Sequence, residues 1–135
     1  MRKFLLAIVV IVLSGTQVNA WKRTTHLIGV PFVVGSGAYA DVKVLQDANK
    51  PITRAGAITN LSLMAAQLSL GSILFFGGDS EELRKIHRIV GTSVILSGIF
   101  LSVVSTLDDG VDKPARYMAY AHTGLASVPL IIFSF

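Results

Sequence analysis

The sequence predicts an all-α fold, a four-helix transmembrane bundle that follows an N-terminal signal peptide. Of the 135 residues, 52% are hydrophobic and 15% charged, and the mean hydropathy is +0.64, more apolar than a typical soluble domain. The stretch from Ile89 to Leu107 carries no charge and is long enough to cross a bilayer. Three further apolar stretches are separated from it by short polar segments, which predicts one membrane domain.

Residues 1–20 resemble a secretory signal peptide. Arg2 and Lys3 precede the apolar segment from Phe4 to Leu13, and small residues ending at Ala20 form a cleavage pattern. This apolar segment is short for a membrane span, so we expect cleavage before residue 21 and a mature domain of residues 21–135. The alternative is an uncleaved anchor from residue 4 to about residue 18. Both possibilities place residue 21 on the outer side of the membrane.

The four helices are predicted near residues 26–46, 53–76, 81–107 and 115–135. Ser80 followed by Glu81 has the pattern of an N-cap with acidic first-turn residues, and Pro114 suits the start of the last helix. Asp41 is expected to reach the far interface of the first span. The segment 108–114 contains three aspartates without the spacing of a calcium-binding loop, which predicts a solvated turn.

The distribution of charge and the absence of cysteine each argue against certain functions. The net charge is +4, but the basic residues are scattered among the predicted loops, which argues against nucleic-acid binding. The chain has no cysteine, which excludes disulfides, iron–sulfur clusters and covalent c-type haem.

We expect a multi-pass protein of a bacterial-type inner (plasma) membrane, with its N-terminus outside after cleavage. The basic residues divide equally between the two sides, so they do not test this orientation.

One face of the third predicted helix consists mostly of small residues below a histidine. Residues three and four apart lie on the same face of a helix, and the residues on this face are His87, Gly91, Val94, Gly98, Ser102 and Ser105. Small residues allow close approach, so either a neighbouring helix or a planar cofactor held by His87 is expected to cover this face.

Two histidines fall at the same depth on helices that run in the same direction. His26 and His87 each lie roughly 14–16 Å from the middle of their spans, which places them level near the outer face. They are candidate axial ligands of one haem iron. The residues at the same level that are suited to the propionates are Lys22, Arg23 and Arg88, and those that leave room for the ring are Gly29 and Gly91. The alternative is that both histidines are ordinary interface residues.

His122 lies roughly 20 Å in depth from His87 and therefore cannot share its metal. A separate site with Met64 is one possibility, and a hydrogen bond to Asn60 or Ser62 is the other. The amides of Asn60 and Gln67, both in the second span, are expected to hydrogen-bond a neighbouring helix.

Three segments are similar to small four-helix b-type membrane cytochromes and to their ferric-reductase-like and copper-resistance-type relatives. The segments are His26-Leu-Ile-Gly followed by Gly35-Ser-Gly37, Lys85-Ile-His-Arg-Ile-Val-Gly91, and Ala121-His-Thr-Gly124. The resemblance implies a haem b electron carrier in which His26 and His87 match the axial ligands. The second span has no histidine, which puts a second haem in doubt.

The functional hypothesis is electron transfer by a membrane-embedded haem b protein near the outer face. Its expected partners are the lipid bilayer and other membrane subunits or a redox partner. The alternative is a small, non-catalytic accessory subunit of a larger membrane complex. Short loops without an evident nucleophile or acid–base pair argue against an independent enzyme.

Overall fold

The computed structural model describes the backbone of residues 19–76 and 80–133, and the side chains of residues 29, 31–76 and 80–127. These residues form four α-helices and no strand, which confirms the all-α prediction. The helices are α1 (Asn19–Asp47), α2 (Pro51–Phe76), α3 (Glu81–Thr106) and α4 (Lys113–Phe133). Helix α1 begins seven residues before its predicted start at residue 26. The predicted signal peptide lies outside the described residues as far as residue 18.

Side-chain caps fix the starts of the last two helices. The Ser80 hydroxyl accepts a hydrogen bond from the Leu83 N–H at 3.1 Å, and Glu81 and Glu82 occupy the first turn of α3. The cap satisfies one of the N–H groups that a helix start leaves without a partner, and the acidic residues favour the positive end of the helix dipole. This confirms the predicted start of α3. At α4, the Asp112 carboxylate accepts the Ala115 N–H at 2.8 Å.

Residues 33–135 form one compact unit, in which α2 packs against α3 and α3 packs against α4. The small-residue face of α3 makes these contacts. A Cβ atom added at Gly98 would lie 2.9 Å from the Thr123 hydroxyl of α4, and one added at Gly91 would lie 3.0 Å from the Gln67 amide nitrogen of α2. The sequence predicted that either a helix or a cofactor covers this face of α3. At these two positions the neighbouring helices α2 and α4 cover it.

In this unit many large apolar side chains are exposed, while several polar side chains are buried. One cluster of buried apolar residues joins the ends of all four helices, and its members are Val44, Ala48, Ala57, Leu101, Val104, Val111, Ala115 and Ala119. Large apolar side chains nevertheless cover much of the outside, among them Leu96 and Phe76 at 62% and 81% exposure. Asp41, Asn60 and His122 are buried instead.

Helices α2 and α3 are each 26 residues long and apolar enough to cross a membrane, with mean hydropathies of 1.4 and 2.0 in their most apolar windows. This agrees with the predicted membrane association of these two helices. This finding concerns two of the four described helices, so the spanning of the membrane by all four stays a prediction.

Candidate functional site

A buried carboxylate joins the two loops at one end of the bundle. Asp108 is fully buried, and its carboxylate accepts backbone N–H groups from Asn49 at 3.2 Å, Lys50 at 2.9 Å and Gly110 at 3.0 Å. The α1–α2 loop and the α3–α4 loop are thereby tied together. The prediction of a solvated turn is wrong for Asp108, because these three donors replace the water that the carboxylate would otherwise bind.

Basic side chains reinforce this loop junction. The Lys50 ammonium donates to the Leu107 carbonyl. The Arg116 guanidinium donates to the Asp108 carbonyl at 2.8 Å. A Cβ atom at Gly110 would lie 2.5 Å from the Asp47 carbonyl oxygen, so this position requires glycine for close backbone approach. The junction has the features of a structural clamp, because its acceptors are already occupied by the protein's own donors.

A second buried polar group links three helices. The Asn60 side-chain amide of α2 donates to the Asp41 carboxylate of α1 at 2.7 Å, and the Ser97 hydroxyl of α3 donates to the Asn60 oxygen. The predicted interhelical hydrogen bond of Asn60 is confirmed. The Asp41 carboxylate faces α2 and is 1% exposed. The predicted depth of Asp41, at the far interface of the membrane, stays a prediction.

The third polar contact joins α2 to the start of α3. The side-chain nitrogen of Gln67 lies 3.1 Å from Nε2 of His87, which confirms the predicted interhelical contact of Gln67. A Cβ atom at Gly71 would lie 3.3 Å from Cε1 of His87. The half-buried imidazole therefore faces α2, and the Gln67 amide lies against Gly91, where the sequence predicted room for a haem ring.

The structure describes only some of the other residues predicted for the haem site. The backbone of His26, Lys22 and Arg23 belongs to α1, but their side chains lie outside the described residues, so the pairing of His26 with His87 stays a prediction. Gly29 also belongs to α1, with open space where a Cβ atom would project. Arg88 is exposed near the start of α3.

His122 is the most unusual histidine in the described part of the chain. Its ring is 4% exposed and interacts with the backbone of Val33, although neither ring nitrogen makes a hydrogen bond within normal distance and angle limits. The alternative in which Asn60 or Ser62 binds it is wrong, because Asn60 pairs with Asp41 and Ser97, and the Ser62 hydroxyl donates to the Ile58 carbonyl at 2.9 Å.

The surroundings of His122 also differ from the predicted pairing with Met64. Met64 is buried in α2 and does not line the groove at His122. The methionine that lines this groove is Met118, one turn before His122 on α4. The imidazole ring lies directly over Gly37 of α1, where an added Cβ atom would come within 2.1 Å of Cε1.

Sequence reasoning missed Asp108, Gly37 and Met118. A signal for Asp108 was present, because an aspartate two residues before a glycine is typical of a turn in which the carboxylate binds the backbone N–H at i+2. The i, i+4 spacing of Met118 and His122 was a second signal, since it places both side chains on one face of α4. No pattern in the sequence places Gly37 opposite His122.

The described residues include no group of three or more His, Asp or Glu side chains that could hold a metal ion. The fold and these contacts define a class, an all-α bundle whose interior holds hydrogen-bonded polar groups beside an apolar cluster and whose outside carries many large apolar side chains. Comparison with family models, curated proteins and solved structures finds no match to this chain.

Proposed function

We propose that this chain is a multi-pass integral membrane protein whose four helices all cross the bilayer. The observation that supports this is the contrast between exposed large apolar side chains and the buried Asp41–Asn60–Ser97 contact. In water, exposed apolar area costs about 25 cal/mol per Å². In a bilayer, the same distribution satisfies polar groups inside the bundle and presents apolar groups to lipid.

Within that membrane setting, we propose a non-catalytic role as an accessory subunit that docks laterally on a larger membrane protein through α2. The small-residue face of α3 is covered at Gly91 and Gly98 by helices of the same chain. Helix α2 carries a second small-residue face that is exposed along its length, and we call it the α2 face; its residues are Ala55, Thr59, Ser62, Ala66 and Ser69.

The chemistry of the α2 face suits another helix. Its residues recur at alternating spacings of four and three, so they form one continuous strip along the helix. The hydroxyls of Ser62 and Ser69 each donate to a carbonyl of their own helix at 2.9 Å. The strip therefore consists of small side chains, and two of its three hydroxyls are satisfied within the helix, which allows a second helix to approach closely in a bilayer.

The test is to enlarge this face. The double substitution Ser62→Leu and Ala66→Leu should release the chain from its complex in native membranes, because leucine side chains prevent close approach of a partner helix. Native gel migration after extraction in a mild detergent measures the release. Thr92→Leu, a comparable enlargement at an exposed position of α3, is the matched control and should leave migration unchanged. Unchanged migration of the double variant would rule out docking through α2.

Electron transfer through a haem b is the second candidate function. The observation in its favour is that the His87 imidazole lies half-buried between α2 and α3 with Gly71 and Gly91 beside it. His26 and His87 would be the axial ligands, with Arg88 near a propionate. When bound, haem b supplies one-electron transfer at its iron.

The described side chains fit this cofactor only after a rearrangement. Nε2 of His87 is engaged by Gln67, whose amide also fills the space beside Gly91. Ligation through Nε2 therefore requires Gln67 to withdraw. This makes Gln67 the residue whose substitution separates the haem proposal from the subunit proposal.

The haem proposal predicts opposite effects at two contacting residues. After incubation of the purified chain with haem, Gln67→Ala should retain or increase the Soret absorbance, because it frees Nε2 of His87. His87→Ala should remove the Soret absorbance by deleting a ligand. Arg88→Ala should weaken retention without abolishing ligation, and His122→Ala should leave the spectrum unchanged. Equal Soret absorbance in wild type and His87→Ala, or no haem uptake by wild type and Gln67→Ala, would contradict the proposal.

A further inference from the structure

Two aspartates in the described part of the chain are buried, and their surroundings differ. Asp41 of α1 is 1% exposed, and Asp108 in the α3–α4 loop is fully buried. Asp108 accepts three backbone N–H groups within 3.2 Å. Among the described residues, Asp41 accepts one hydrogen bond, from the Asn60 amide at 2.7 Å. Burial is common to both carboxyl groups, and the number of hydrogen-bond donors distinguishes them.

The single donor at Asp41 is an uncharged amide. An ionised carboxylate offers about four acceptor positions, and Asn60 fills one of them. The other end of the Asn60 amide is already in use, since its oxygen accepts the Ser97 hydroxyl. An ionised Asp41 would have little to replace the water that it loses in the bundle, whereas a neutral carboxyl group needs far less.

The helices around Asp41 supply no cation to offset a negative charge. The buried residues of α2 and α3 include no titratable side chain. Helix α4 brings His122, whose ring lies on Gly37, one turn before Asp41 on α1, and whose nitrogens make no hydrogen bond to the carboxyl group. Lys43 is two residues beyond Asp41, a spacing that does not place two side chains on one face. Among these groups, Asp41 has no ion-pair partner.

We propose that Asp41 is a proton-binding site, a neutral carboxylic acid while α1 is packed against α2, which releases its proton when this contact opens. On opening, water reaches the carboxyl group and its O–H bond breaks. The electron pair stays on the carboxylate, and water takes the proton. Proton binding is thereby coupled to the packing of α1 against α2. This inference requires neither a haem nor docking through the α2 face.

Infrared spectroscopy tests the protonation state directly, because the C=O stretching band of a neutral carboxylic acid lies above the amide bands. Full-length protein in an ester-free detergent at neutral pH should show this band. Asp41→Asn should remove it, and Asp109→Asn, at an exposed position, should leave it in place. Asn60→Ala removes the donor to the carboxyl group and should move the band to higher frequency, which assigns the band without changing Asp41.

The dependence of unfolding on pH provides a second test. At neutral pH the folded chain holds one more proton at Asp41 than the unfolded chain, whose exposed aspartate is ionised. The folded state therefore loses stability as the pH rises, and the unfolding equilibrium constant should increase by up to about tenfold per pH unit. The measurement is made above about pH 4, where the contribution of Asp108 no longer changes. Asp41→Asn should remove this increase, and Asp109→Asn should retain it.

Several results would overturn the proposal. The wild type lacks the carboxylic acid band, the band survives in folded Asp41→Asn, or Asn60→Ala leaves it unmoved. Equal pH dependence of unfolding in wild type and Asp41→Asn would contradict it as well. A band that appears only after sodium and potassium ions are removed would show that a cation, rather than a proton, occupies the site.

Discussion

Replacement of Asp108 by alanine is expected to lower the free energy of unfolding by about 2–4 kcal/mol, because it leaves three backbone donors without their acceptor. The donors belong to Asn49, Lys50 and Gly110, so the substitution also disconnects the α1–α2 loop from the α3–α4 loop. Denaturant unfolding in detergent, followed by far-UV circular dichroism, measures the change.

The same carboxylate predicts an acid-sensitive contribution to stability. Burial alone would raise the pKa of Asp108, but hydrogen bonds from the Lys50 N–H, the Thr53 hydroxyl and the N–H groups of Gly110 and Asn49 outweigh it and lower the pKa to about 2. Because the folded pKa lies below the unfolded value near 3.8, the contribution is complete above about pH 4 and is lost as the pH falls toward 2. Asp108→Ala should remove this part of the acid dependence.

The adjacent residue supplies the control for Asp108. Asp109 is exposed, so Asp109→Ala should change the unfolding free energy by no more than about 0.5 kcal/mol. If the two alanine variants are equally stable, the carboxylate of Asp108 does not hold the loops together.

The second large effect is expected at Asn60. Asn60→Ala removes the donor to the buried Asp41 carboxylate and the acceptor of Ser97. We expect a loss of about 2–3 kcal/mol in the free energy of unfolding, because an acidic group is left buried without its partner. The Ser97 hydroxyl keeps a hydrogen bond to the Val94 carbonyl at 3.0 Å, so most of the cost should arise at Asp41.

A double-mutant cycle separates this pair from general effects of the substitutions. Adding Asp41→Ala to Asn60→Ala should cost little more than Asn60→Ala alone, with a coupling of about 1 kcal/mol or more. Ser62→Ala is the control on the same helix, since this exposed hydroxyl bonds only its own helix. Additive effects of the two substitutions would show that Asp41 and Asn60 do not stabilise each other.

The outcome at His87 shows why a helical face can be predicted more easily than its occupant. The periodicity placed His87, Gly91 and Gly98 on one side of α3, and the structure has side chains of α2 and α4 against this side. Periodicity describes one helix at a time. Whether Gln67 or a cofactor lies against Gly91 depends on the rotation of α2, which no pattern within α3 encodes.

The four helices, the cap at Ser80 and the interhelical role of the amides of Asn60 and Gln67 could be predicted from the sequence. The helices and the cap follow from local chemistry, because apolar periodicity and capping residues act within a few turns of one helix. The interhelical role of the two amides follows from the cost of leaving an amide unpaired in an apolar span. The burial of Asp108 and Asp41 and the contact of His122 with Gly37 could be found only from the packed structure. Each of these depends on contacts between residues 19 to 85 positions apart, which form only when the helices have packed at a particular rotation and depth.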